Sequence, residues 1–151
     1  MEQYNAYSFL LDRTARRVKQ YAQYQFNCQQ FGITVDQWAI LKNLHQHTDL
    51  SQKELADYCG KDQPTLTRIV DLLVSKDLVE RRANPTDRRS FVVHLTAAGR
   101  HKIETLSGEV NKIRMQAWQN LNEKDFEHLK RILNTIYTNL EIDNGNAGTS
   151  S

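Results

Sequence analysis

Arg81–Thr96 reads R-R-A-N-P-T-D-R-R-S-F-V-V-H-L-T. One short run ends at Arg82, a second spans Ser90–Leu95, and residues 84–87, Asn-Pro-Thr-Asp, lie between them. Asn-Pro favours a turn because proline fixes its own φ and biases the preceding residue away from helix. The second run is rich in aromatic and β-branched residues, which suit a half-buried strand. The stretch therefore predicts a β-hairpin that carries four arginines and one acid.

A helix-turn-helix is predicted immediately before this hairpin. Ser51–Glu54, S-Q-K-E, is a capping box that begins a short helix ending at Cys59–Gly60. Asp62 caps a second helix that continues to Lys76, with Pro64 in its first turn, where a missing N–H costs nothing. Its buried face is expected at Leu66, Ile69, Val70, Leu72 and Leu73. Two short helices followed by a basic hairpin are typical of a winged helix-turn-helix, a module that binds DNA.

Further helices are predicted on both sides of this module. Apolar residues recur with helical spacing from about Asn5 to Gln30, and a capping box at Thr34–Gln37 begins the next helix. After the hairpin, Thr96 caps a helix that runs to about Asn120, and Asn122 caps the last one. The predicted fold class is therefore mostly α with a small β-hairpin wing, an α+β fold.

The chain is predicted to form one protomer over residues 1–142, followed by a small polar tail at 143–151 that we expect to be disordered. The winged helix-turn-helix covers about 33–100, and the helices at about 4–31 and 100–142 serve dimerisation. Their apolar faces exceed what the middle of the chain can cover, so a two-fold homodimer is the simplest way to bury them. The dimer-interface positions are Leu10, Leu129, Ile132, Leu133, Ile136, Tyr137 and Leu140.

Composition narrows the class of protein less than the distribution of charge does. The net charge of the 151 residues is only +2 and the mean hydropathy is −0.67. Residues 61–100 nevertheless hold eight Lys/Arg against five Asp/Glu, and four of these eight lie between Arg81 and Arg89. The sequence shows no secretory signal and no apolar run long enough for a membrane helix, so we expect a cytoplasmic protein with free thiols and no membrane partner.

The sequence resembles the MarR family, the multiple-antibiotic-resistance-regulator type of bacterial transcription factor. The most specific part is Asp87–Thr96, which matches the family pattern of Asp-x-Arg, five residues, and Leu-Thr. Gly99 and the run L-T-R-I-V-D-L-L-V-S-K-D-L-V-E-R at Leu66–Arg81 also match, while Asp77 stands where the family commonly has glycine. The resemblance covers nearly the whole ordered chain. It implies a dimeric, ligand-responsive regulator that binds a pseudo-palindromic operator. Such a regulator would lie in the bacterial cytoplasm and associate with the nucleoid when bound to DNA.

Candidate DNA contacts fall on both helices of the helix-turn-helix and on the hairpin. The second helix would enter the major groove, where glutamine can pair with adenine and arginine with guanine. The first helix presents its N-terminus to a phosphate, and the hairpin arginines suit a minor groove, with Asp87 able to hold the side chain of Arg89. The predicted set is Ser51, Gln52, Lys53, Asp62, Gln63, Pro64, Thr65, Thr67, Arg68, Arg81, Asp87, Arg88 and Arg89. The alternative is that these groups are capped or solvated surface residues.

An effector site is less well defined by the sequence. The resemblance implies a ligand site between the dimerisation helices and the winged module, where aromatic and cationic side chains suit a small aromatic or anionic effector. The candidates are Tyr7, Arg13, Arg17, Tyr21, Tyr24 and Trp38, and the alternative is that the aromatic residues belong to the core or to the dimer interface.

Two other functions stay open from the sequence. One is a winged-helix protein-interaction module without DNA binding. The other is a regulator that senses oxidants through Cys28 or Cys59, although no flanking cations favour the thiolate of either. His45 and His47 point to different sides of a helix and no C-x-x-C is present, so we expect no metal and no cofactor. No catalytic motif indicates an enzyme.

Overall fold

The computed structural model describes residues 2–142, and the helices and strands follow the predicted order with one added strand. They are α1 (Glu2–Cys28), α2 (Val35–Gln46), β1 (Leu50–Ser51), α3 (Gln52–Cys59), α4 (Gln63–Ser75), β2 (Val79–Asn84), β3 (Asp87–Leu95), α5 (Ala97–Met115), a 3₁₀ turn (Gln116–Trp118) and α6 (Glu123–Asn139). The predicted disordered tail, residues 143–151, lies outside the described residues. The fold class predicted from the sequence is confirmed.

Side-chain caps determine where most of these helices begin. Thr34, Ser51 and Asn122 each accept a hydrogen bond from the backbone N–H three residues later and complete a capping box. Asp62 and Thr96 cap α4 and α5 in the same way, through the N–H groups of Thr65 and Gly99. All five caps were expected from the sequence, because a cap depends only on residues within one turn of each other.

The three strands form an antiparallel sheet in the order β1-β3-β2. β2 pairs with β3 from Val79↔Leu95 to Ala83↔Phe91, and an irregularity follows at Asn84. The strands therefore extend further than expected and leave only Pro85 and Thr86 between them. The dipeptide β1, which the sequence analysis did not predict, pairs Leu50 with Val93 on the far edge of β3. We call β2, β3 and their turn, residues 79–95, the wing.

The hydrophobic core is built between α2, α3, α4, the sheet and α5. Its fully buried side chains come from every one of these elements. They include Ile40, Leu41, Leu55, Leu66, Leu73, Val93 and Ile103. The expected inward face of α4 is correct for Leu66, Val70 and Leu73 but wrong for Leu72, which is 53% exposed. The core thus holds α3, α4 and the wing in one body.

The first half of α1 contributes nothing to this core. The buried residues of α1 are Ala22 and Phe26, near the C-terminal end of the helix, whereas Tyr7, Phe9 and Leu10 are exposed.

No helix among residues 2–142 is long and apolar enough to cross a membrane.

The helix after the wing is shorter than expected. α5 ends at Met115 and a 3₁₀ turn follows it, whereas the sequence suggested a helix to about Asn120. Asn120 adopts a left-handed φ of 65°, with which a right-handed helix cannot continue. By contacts, the chain divides into two compact units, Met1–Ala117 and Trp118–Ser151. In the second unit, Trp118 packs edge-on against Phe126 at the start of α6.

Candidate nucleic-acid interface

The turn between α3 and α4 brings the beginnings of the two helices together. Gly60 takes the left-handed conformation with φ 63°, which lets its N–H close α3 onto the carbonyl of Ala56. At the start of α3, Gln52 Nε2 donates to Thr67 Oγ1 on α4 at 2.7 Å. Thr67 Oγ1 in turn donates to the carbonyl of Gln63 at 2.9 Å. Two predicted contact residues, Gln52 and Thr67, are thus held together.

The first turn of α4 presents polar side chains outward. Gln63, Pro64 and Arg68 are exposed and Thr65 is half-buried, as expected for a helix whose other face is in the core. Arg68 Nη2 lies 3.5 Å from Thr65 Oγ1, its hydrogen-bond acceptor. These groups supply donors and acceptors of the kind that read base edges in a major groove.

Asp62 acts as a cap for this helix. Its Oδ1 accepts the N–H of Thr65 at 2.7 Å. That backbone hydrogen bond is the main cause that lowers the pKa of Asp62 below its usual value. A negative charge at this position also matches the positive end of the α4 dipole. Asp62, one of the predicted DNA contacts, is therefore the residue that caps α4.

Short-range hydrogen bonds shape the tip of the wing. Asn84 Oδ1 accepts from the N–H and the hydroxyl of Thr86, and its Nδ2 donates to Ser90 Oγ at 3.0 Å. Asp87 Oδ1 accepts the backbone N–H of Arg89 at 3.0 Å. Asp87 was expected to hold the side chain of Arg89, but it contacts the backbone of Arg89 instead. Arg88 and Arg89 are both exposed.

The two arginines at the base of the wing are engaged within the protein. Arg81 Nη2 lies 2.6 Å from Asp71 Oδ1 and 3.4 Å from the carbonyl of Thr67, so it ties β2 to α4. Arg82 pairs with Glu80 on the same strand. Arg81, a predicted DNA contact, therefore has a role in orienting α4 and the wing.

A single concave surface joins these elements. A cavity of about 400 Å³ opens between the start of α3, the start of α4 and the wing. It is lined by Ser51, Gln52, Lys53, Glu54, Gln63, Asn84, Asp87, Arg89, Ser90 and Phe91. Phe91, which is 54% exposed, was not among the residues predicted to contact DNA. Its position two residues after Arg89 on a strand was the available signal, since such residues share a face.

The residues predicted to bind an effector do not all share one surface. Tyr7, Arg13, Arg17, Tyr21 and Tyr24 lie exposed along α1, with the Arg13 guanidinium 5.7 Å from the centre of the Phe9 ring. Trp38 is instead buried in the core, edge-on to Phe26. For Trp38 the alternative interpretation is therefore correct, because this residue belongs to the core.

The two thiols differ in their surroundings. Cys28 is exposed at the end of α1, where its hydrogen bond raises the pKa of Tyr24. Cys59 is half-buried, and burial is the main cause that raises the pKa of its thiol, although Asn43 Nδ2 lies 3.5 Å from the sulfur. A raised pKa leaves less of the reactive thiolate at neutral pH, which disfavours Cys59 as an oxidant sensor.

Known proteins share both this module and the arrangement around it. The model of the MarR family matches residues 33–91, which cover α2, the helix-turn-helix and most of the wing. A Listeria innocua protein with unknown function is 30% identical, with a TM-score of 0.67 over 93% of this chain and 96% of that one.

Two solved complexes with DNA are also similar. The S. aureus MepR–DNA complex is 26% identical, with a TM-score of 0.79 over 89% of this chain and 98% of that one. A mutant MarR from E. coli, complexed with operator DNA, is 25% identical, with a TM-score of 0.77 over 85% of this chain and 91% of that one. The winged module and the helices around it thus align together, and the chain belongs to the MarR family of transcriptional regulators.

Proposed function

We propose that this protein is a homodimeric repressor that binds a pseudo-palindromic operator in double-stranded DNA. The observation that carries the proposal is the concave surface between α3, α4 and the wing. It combines the capped N-terminus of α3, the polar first turn of α4 and the exposed Arg89. These are a phosphate site, a set of base-reading groups and a minor-groove cation, in an arrangement that one stretch of duplex can contact at once.

The charges around this surface favour a DNA-binding module over a winged-helix module that has lost DNA binding, in which we would expect an acidic or apolar wing and α4. Lys53, Arg68, Arg88 and Arg89 are exposed on or beside it. A winged-helix interaction module that had lost DNA binding would not need a basic wing tip. Two relatives with the same arrangement, MepR and MarR, were solved with DNA, which supports the same partner for this chain.

A second copy is proposed because α6 lacks burial of its own. None of its residues is buried, although Phe126, Leu129, Leu133, Ile136, Tyr137 and Leu140 recur at helical spacing along one side. Such a stripe on a charged helix is the usual mark of a face that packs on another element. A two-fold axis would then place two copies of the DNA-binding surface at a fixed separation.

Selection of bound duplexes from a random-sequence pool tests this function. The full-length protein at low salt should enrich an inverted repeat whose half-sites lie about one helical turn apart, because each protomer reads one half-site. Enrichment of a single unrepeated site would reject the dimeric arrangement. No enrichment at all would reject DNA binding.

The effector is proposed to be a small aromatic or anionic molecule that releases the operator. The exposed tyrosines and arginines of α1 support this chemistry, since they offer aromatic faces and cations together. Operator binding should be titrated with small phenolic acids and, separately, with peroxide. Release by peroxide that is abolished in Cys28→Ser would favour a thiol-based regulator instead.

A further inference from the structure

The first turn of α2 holds both ends of α4. Lys61, directly before the cap of α4, places its Nζ 3.2 Å from Asp36 Oδ1. Lys76, the C-terminal cap residue of α4, donates its Nζ to Gln37 Oε1 at 2.8 Å and to the Gly32 carbonyl at 2.9 Å. Lysines on either side of one helix are therefore held by adjacent residues of another.

The same turn is also held by α1. Lys19 Nζ lies 2.9 Å from Asp36 Oδ1 and 3.1 Å from Oδ2. One turn further along α1, Gln23 Oε1 accepts the backbone N–H of Val35 at 2.9 Å. Asp36 thus bridges a lysine of α1 and the lysine that precedes α4. We call the set Lys19, Gln23, Asp36, Gln37, Lys61 and Lys76 the α2 clasp.

The burial of Gln37 shows that this arrangement is more than surface pairing. Gln37 is 3% exposed, and it is the only buried polar side chain among residues 2–142. Its Oε1 accepts from the backbone N–H of Thr34 at 3.1 Å as well as from Lys76. Removing Lys76 would leave the buried amide oxygen with one partner fewer, so the contact restrains the C-terminal end of α4.

We propose that the α2 clasp sets the orientation of α4 relative to α1, and that Asp36, Lys61 and Lys76 are positioning residues for sequence-specific DNA binding. They act through α4 and make no contact with DNA themselves. A recognition helix must match base edges to within hydrogen-bond distance, so a small rotation costs specific affinity before it costs phosphate contacts. The inference rests on the proposed function.

The sign of one substitution distinguishes positioning from simple electrostatics. Asp36→Asn removes a negative charge, which by Coulomb attraction alone would strengthen binding to every duplex. The α2 clasp predicts the opposite for specific DNA: affinity for the duplex selected by the wild-type protein falls about fivefold or more. Affinity for a duplex of shuffled sequence does not fall. Asp36→Glu, which retains a carboxylate for both lysines, restores most of the loss.

Glu104→Gln is the matched control for the change of charge. Glu104 is exposed on α5 and lies outside the α2 clasp. This variant should leave both affinities close to those of the wild-type protein. Binding is measured by fluorescence anisotropy at a temperature where circular dichroism shows each variant to be folded.

Lys76→Met provides an independent measurement if Asp36→Asn does not fold. Methionine keeps the length of the side chain but loses its donors. A positioning role predicts weaker binding to the selected duplex with an unchanged salt dependence, whereas loss of a direct phosphate contact lowers the log–log salt slope by about 0.9. The inference is overturned if the slope falls in this way, or if Asp36→Asn binds the selected duplex as well as the wild type. If the wild-type protein selects no duplex, the proposed function itself fails before any variant is compared.

Discussion

At the scale of single residues, Arg89 is the side chain on which the proposed DNA contact most depends. Asp87 accepts a hydrogen bond from the backbone N–H of Arg89, and the side chain of Arg89 lines the concave surface. Within residues 2–142 its guanidinium has no ion-pair partner, whereas Arg81 and Arg82 pair with Asp71 and Glu80. These three arginines of one hairpin are therefore not equivalent.

Arg89→Ala should weaken operator binding strongly and leave the oligomeric state unchanged. A gel-shift titration over several salt concentrations should show a log–log slope smaller by about 0.9, the value for one lost phosphate neutralisation. Arg82→Ala is the control, because Arg82 is already paired with Glu80 and should change affinity much less. Unchanged affinity in Arg89→Ala would contradict the assignment of the wing.

Asp36 makes the stability of the fold depend on pH. Burial alone would raise the pKa of its carboxyl, but the hydrogen bonds from Lys19 and Lys61 outweigh burial and lower it. A carboxyl group whose pKa is lower in the folded than in the unfolded state stabilises the fold at pH values above its unfolded-state pKa, about 3.9. This stabilisation is lost as the pH falls through the pKa of Asp36 in the folded state.

Asp36→Asn should therefore be less stable than the wild-type protein at pH 7, and the difference should shrink as the pH falls below about 4. Urea midpoints measured from pH 7 to pH 3 check this. Glu104→Gln, with the same change of charge, should run parallel to the wild type. A gap between Asp36→Asn and the wild type that stays constant with pH would show that the carboxylate is not the cause.

At the scale of secondary-structure elements, two glycines of α5 have opposite surroundings. Gly99 is buried in the first turn, where an added Cβ would overlap the carbonyl oxygen of Leu78 and approach Leu95 Cδ2 to 3.2 Å. Gly108 lies in the middle of the helix, and a Cβ added there would have no atom within 4 Å. One glycine is required by packing and the other only costs helix propensity.

Gly99→Ala should destabilise the fold by about 1–3 kcal/mol, since backbone atoms must move to admit the methyl group. Gly108→Ala should instead stabilise it by about 0.5–1 kcal/mol, because alanine loses less conformational freedom in a helix. Urea denaturation of both variants measures the difference. Similar effects of the two substitutions would contradict the close approach of α5 to Leu78, the residue directly before β2.

The elements that the sequence predicted correctly are those that local interactions define. The caps Thr34, Ser51, Asp62, Thr96 and Asn122 each act on a residue three positions later, and all five begin helices. β1 escaped prediction because its two residues become a strand only by pairing with Val92 and Val93, far along the chain.

The candidate site was predictable to the same extent. Gln63, Arg68 and Arg89 follow from exposure on known elements. The partners of Arg81, Asp36 and Lys76 do not, because tertiary packing brings them together.

At the scale of the whole molecule, α6 and the first half of α1 bury no side chain in the single chain. Tyr137 is 83% exposed, and Leu140, the residue that caps the C-terminal end of α6, is 68% exposed. The first half of α1 is likewise exposed. The proposed homodimeric repressor would need both DNA-binding surfaces at a defined spacing, so the proposed dimer interface would be part of its specificity.

Leu133→Asp should convert the protein to a monomer, since a carboxylate in the centre of the apolar stripe would have to be buried without a partner. Sedimentation equilibrium should show half the mass, and affinity for the inverted repeat should fall towards that for a single half-site. Thr138→Asp, on the opposite side of α6, is the control and should remain a dimer. A Leu133→Asp dimer would place the interface elsewhere.

The pairing of Leu50 and Ser51 with β3 also bears on protein engineering. Ser51 is at once a residue of the sheet that supports the wing and the cap of α3. A chimera that exchanged only residues 79–95 with those of a relative would therefore combine a foreign β3 with the native edge strand, and the mismatch would reach the start of α3. A transplant intended to alter the proposed minor-groove contact should therefore include the Leu50–Ser51 dipeptide together with the hairpin.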